Sequence, residues 1–80
     1  MTEAQIDNAI STCVIGLTRH VMDCEAKAID EAYRDVYGSE LYKLIANPST
    51  RLFLSPNRVL IRLYDTERTA GVAELYKAIS

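Results

Sequence analysis

Eighty residues with nine Lys or Arg, eleven Asp or Glu and one His carry a formal net charge of −2 and make one domain at most. That charge offers no general attraction to nucleic acid or to an anionic membrane, and no stretch approaches the roughly 18 apolar residues of a membrane span. The apolar share of 49% and the charged share of 25% are those of a folded chain, which sets disorder aside.

The first predicted helix carries Ile6, Ile10, Cys13, Leu17, Val21 and Cys24 at spacings of four, three, four, four and three, one apolar stripe. Thr2, Glu3 and Asp7 suit its N-terminal end, where the helix dipole favours oxygen and negative charge. Gly16 interrupts the run, either by chance or to let another helix approach. Cys13 and Cys24 are eleven residues apart, too far to bridge within one helix at about 1.5 Å rise per residue. They read as two reduced, half-buried thiols.

The second helix, within "CEAKAIDEAYRDVYG", shows Ala28, Ile29, Ala32, Tyr33 and Val36 on one face and a charged opposite face. No glycine or proline marks its start, so the boundary falls somewhere in residues 22–26. Gly38 stops it, and Ser39 caps a third helix with Leu41, Leu44 and Ile45 inside. Asn47–Pro48 ends that helix, because proline pushes the preceding residue out of helical geometry. Ser55–Pro56 opens the fourth, with Ser55 as cap and Pro56 at the first helical position. Val59, Leu60, Leu63 and Tyr64 form its apolar face. Around Thr69–Gly71 it either ends, leaving a short helix through Val72, Leu75, Tyr76 and Ile79, or continues unbroken to Ile79.

The expected architecture is an all-α single domain, residues 1–80, of four to five helices. Its long first helix packs across the second and fourth, and residues 72–80 stand as a C-terminal appendage. Leu52 and Leu54, or Phe53, should plug the end of the core, because three exposed large apolar side chains invite association.

Chemistry is sparse. His20, the only histidine, lies four residues before Cys24, a spacing that could present two metal ligands, but a closed zinc site needs four. It lies about two turns from Cys13, too far to activate that thiol. No glycine-rich phosphate loop is present. The expectation is therefore no enzyme, no metal and no cofactor. Arg51, Arg58 and Arg62 could form a basic patch, yet the segment from Asn47 to Ser55 is too long for a helix-turn-helix. Arg62 also has Asp65 nearby as a neutraliser, so nucleic acid is the alternative reading. Five tyrosines, Tyr33, Tyr37, Tyr42, Tyr64 and Tyr76, suit core edges and partner interfaces alike.

Residues 36–67, "VYGSELYKLIANPSTRLFLSPNRVLIRLYDTE", resemble a group of short bacterial helical proteins of uncharacterised function. The resemblance rests on Tyr37, Ser39, Tyr42, Ile45, Thr50, Leu52, Phe53, Ser55, Val59, Leu63 and Glu67. Arg58 and Leu60 stand where aromatic residues are common in that group, and the tail after Gly71 is additional. The resemblance implies a helical fold and an antitoxin- or adaptor-like role, and it brings no catalytic residue. The expected function is thus a non-enzymatic interaction module of the cytoplasm, a homodimer or a subunit of a small bacterial regulatory complex. The expected partner-binding residues are Tyr42, Phe53, Arg58, Arg62 and Tyr64.

Overall fold

A computed structural model describes residues 2–79, an all-α domain of five helices with no strand among the described residues. Helix α1 spans Glu3–Glu25. Its first turn is held by a reciprocal pair: Thr2 Oγ1 accepts from the Gln5 amide at 3.2 Å, and Gln5 Oε1 accepts from the Thr2 amide at 2.9 Å. The predicted stripe turns inward at Cys13, Leu17 and Val21, joined by Val14 and Thr18, with Ile6 and Ile10 half-buried against the core. Thr18 is satisfied locally, its hydroxyl donating to the Val14 carbonyl at 2.7 Å.

The chain leaves α1 through Ala26 in the left-handed region, φ 53° and ψ 39°. An alanine there bears the steric cost of its Cβ close to the following carbonyl, and alanine is not a residue type that marks such a break. Helix α2 (Ile29–Tyr37) then buries Ala32 and Val36. Gly38 follows it with φ −82°, so it serves by lacking bulk: a Cβ would lie 3.1 Å from the Arg34 carbonyl oxygen.

Helix α3 (Glu40–Ala46) starts from Ser39, whose Oγ accepts from the Tyr42 amide at 3.2 Å and donates to the Val36 carbonyl at 2.6 Å. Asn47–Pro48 ends it as expected. Two 3-10 turns, Pro48–Thr50 and Leu52–Leu54, fill the connector, with Arg51 left-handed between them at φ 57°. Thr50 Oγ1 closes the first turn onto the Leu44 carbonyl at 2.6 Å. Of the three large apolar residues, Phe53 is the plug. It is buried, and its carbonyl accepts from the Cys13 thiol at 3.5 Å. Leu54 is 56% exposed.

Helix α4 (Asn57–Ala70) begins one residue later than expected. Pro56 is extended at ψ 150° and stands before the helix, and Ser55 makes no capping bond. Leu60, Leu63 and Tyr64 face inward, whereas Val59 is exposed. Gly71, at φ 95° and ψ 173°, breaks the chain, so α5 (Val72–Ile79) is a separate helix. It is no appendage: Leu75 is fully buried and Ile79 packs on the core. α1 lies against α2, α4 and the Leu52–Leu54 turn, as anticipated. No helix is long and apolar enough to cross a membrane among the described residues.

Candidate functional site

A Cβ built on Gly16 would sit 2.2 Å from Asn57 Oδ1, so the Asn57 amide from the first turn of α4 occupies the space a side chain at residue 16 would take. The glycine accommodates that side chain. Beyond this contact the helices leave an open groove of about 640 Å³. Its floor is Cys13, Phe53 and Leu60, with Ala9 and Ile61 beside them, and Thr12, Arg19, His20, Asp23, Ser55 and Asn57 supply the polar rim. Ile15, half exposed, forms part of the α1 lip. Next to the groove, Ile6, Pro48, Arg51, Phe53 and Leu54 line a second, smaller hollow.

Of the five residues expected to meet a partner, Tyr64 is only 1% exposed and is the largest fully buried side chain. Its place at the centre of α4's apolar face makes it core, which corrects the expectation. Burial pushes its phenol above the ordinary tyrosine range, against the opposing pull of the neighbouring Arg68 charge. Phe53 is also core and reaches the surface only as the floor of both hollows. Tyr42 is half-buried and packs edge-on to Tyr37 with ring centroids 4.6 Å apart. Tyr37 in turn stacks on Tyr33 at 6.0 Å, so three tyrosines form one surface ladder on α2 and α3. Tyr76 donates to Glu40 Oε1 at 2.8 Å, tying α5 to α3.

Arg58 and Arg62 are exposed, and neither has an ion pair among the described residues. The expected Arg62–Asp65 pair is absent there; Asp65 Oδ1 instead lies 3.0 Å from His20 Nε2 across the α1–α4 seam. Cys24 is exposed, contrary to the half-buried reading, and its sulfur lies 3.6 and 3.8 Å from the two ring nitrogens of His20. Cys24, His20 and Asp65 thus form one chain of contacts across the α1–α4 seam. Among the described residues no three or more His, Cys, Asp or Glu side chains are grouped to hold a metal ion. Cys13, under the groove, has its thiol pushed up by burial.

At the far end of the domain the charges are consumed structurally. Arg68 pairs with Glu25 at 2.9 Å and approaches Asp35 at 3.9 Å, Lys27 bonds Asp35 and Glu25, and the Arg68 guanidinium lies over the Tyr64 ring. This cluster ties the α1–α2 turn to α4. Sequence reasoning missed the groove, since no single residue lining it is unusual; Arg19, Ile15 and Asn57 gain meaning only when residues 9–23 and 53–61 are adjacent.

The fold and this surface define the protein as a small all-α domain with an apolar-floored, polar-rimmed groove. Comparison with protein-family models, with curated proteins and with solved structures returned no match.

Proposed function

We propose that the protein is a non-enzymatic interaction module of the cytoplasm, acting as a homodimer or as a subunit of a small regulatory complex. One observation carries this reading: exposed Leu54 and Val59 stand on the same connector and helix as Arg58 and Arg62, two cations with no ion pair among the described residues. Apolar side chains flanked by available arginines are the composition enriched at protein interfaces. The resemblance of residues 36–67 to short bacterial helical proteins supports an antitoxin- or adaptor-like role within the same reading.

Sedimentation velocity at micromolar concentration, joined to a pull-down from native lysate, tests it. The expected result is a species larger than the 9.0 kDa chain or a stoichiometric co-purifying protein, lost in the triple variant Leu54→Asp, Arg58→Glu, Arg62→Glu. A strict monomer that captures nothing overturns the proposal. The alternative, nucleic-acid binding through Arg51, Arg58 and Arg62, is favoured by the exposure of all three arginines. It predicts binding that weakens steeply with salt, and a flat mobility-shift assay at low salt removes it.

A further inference from the structure

Resting on the interaction reading, we infer that the groove between α1 and α4 receives an acidic amphipathic helix from a partner protein, held between Arg19 and Arg58. The groove's α1 wall runs from Ala9 to Asp23, which at the helical rise is roughly 21 Å, the length of four turns. Its floor is apolar, and an amphipathic helix lays its apolar stripe into such a groove.

Charge selects the kind of helix. Five arginines lack an ion pair among the described residues: Arg19, Arg34, Arg51, Arg58 and Arg62. All but Arg34 lie on the groove wall, the adjoining connector or the first half of α4. Arg19 lines the groove from the α1 side. Arg58 does not line the groove; it is exposed on the first turn of α4, directly after the lining residue Asn57. The remaining cations, Lys27, Lys43, Arg68 and Lys77, already pair with acids elsewhere. Of the acids at the seam, Asp65 is engaged by His20, and Asp23 lines the groove one turn beyond Arg19.

Two other occupants fit less well. Nucleic acid would bring its phosphates against an apolar floor. A second copy is not needed to complete the fold: the accessible surface is 5124 Å², and a folded monomer of this mass exposes about 4,900 Å².

The test uses two synthetic helices of about 16 residues, four turns, with leucines at i, i+4, i+7 and i+11. One carries glutamates on the flanks and the other lysines. Anisotropy should show the glutamate peptide binding at least about tenfold more tightly, because like-charge juxtaposition at a rim is costly. Arg19→Glu/Arg58→Glu, at two exposed positions, should reverse the preference while leaving the thermal melt unchanged. Amide shifts on the wild type should centre on Ala9, Gly16 and Ile61. Equal binding of both peptides, no binding of either at millimolar concentration, an unreversed preference, or shifts centred on Tyr33–Tyr42 overturns the inference. So does displacement of the glutamate peptide by duplex DNA. A complex seen by sedimentation or pull-down together with failed peptide binding sinks this inference alone and leaves the interaction reading standing.

Discussion

The N-terminus of α3 depends on an acid that comes 26 residues after Leu41 in the chain. Glu67, on α4, accepts from the Glu40 amide with one carboxylate oxygen and from the Leu41 amide with the other, both at 2.9 Å. Ser39 takes the Tyr42 amide, so the free donors of a seven-residue helix are covered by one local and one distant oxygen group. A hydrogen bond to a charged group contributes about 1.5–3 kcal/mol. Glu67 is half-buried, and amides freed by its removal partly recover water, so Glu67→Ala should cost about 2 kcal/mol in all. Alanine is the better helix former, so a loss cannot arise from α4's own propensity. For a domain of this size about 2 kcal/mol lowers the melting temperature by about 8–16 °C. Urea denaturation of Glu67→Ala, Ser39→Ala and the double variant, followed by circular dichroism, measures both caps. Glu67→Gln, which keeps one acceptor oxygen, should fall between. A loss under about 0.5 kcal/mol for Glu67→Ala, the range of an ordinary surface substitution, would refute the distant cap.

Four further outcomes are expected. Ala26→Gly should stabilise by roughly 0.5–1 kcal/mol, since relief of the left-handed strain exceeds the entropy glycine adds to the unfolded chain; a lower urea midpoint would contradict it. Gly16→Ala should gain about 1 kcal/mol of helix propensity only when Asn57→Ala removes the colliding amide, so a double-mutant cycle without coupling would count against the close contact. With Ellman's reagent, exposed Cys24 should react at once and Cys13, 7% exposed with its thiol on the Phe53 carbonyl, only slowly before unfolding; equally fast labelling of the thiol left in Cys24→Ser would contradict that burial. The Tyr64 phenol is raised in the folded state by burial, so its contribution is complete below the ordinary value near 10 and is lost as pH rises through the folded value. Stability should therefore decline above about pH 10, less steeply in Tyr64→Phe; an identical slope in that variant would exclude Tyr64 as the source.

These expectations divide according to how far apart in the chain the interacting groups lie. The α1 stripe, the Ser39 cap and the Asn47–Pro48 stop are local: each depends on residues within one or two turns, and each is legible in the residue order itself. The left-handed Ala26 and the Glu67 cap are not. The first is a backbone conformation that alanine does not advertise, and the second joins residues whose proximity is a product of folding. Ser55–Pro56 shows a rule giving way to context. Proline pushes Ser55 into extended geometry at ψ 146°, as steric conflict demands, but Pro56 is itself extended at ψ 150°, so the helix starts one residue later, at Asn57. Position along a helix face distinguishes core from solvent well, yet it cannot separate the tyrosine at the centre of the core from those at its edge. Tyr64 and Tyr42 both occupy apolar faces, and only the packing of α4 between α1 and α3 buries the first while leaving the second in a surface ladder. The groove follows the same logic. Its floor is core material, readable from periodicity; its walls come from residues 9–23 and 53–61, which only folding brings together, and Arg19 on one wall has no ion pair among the described residues. A site made of ordinary residues in this way has no sequence signature to find. It is recognised by what it leaves unpaired.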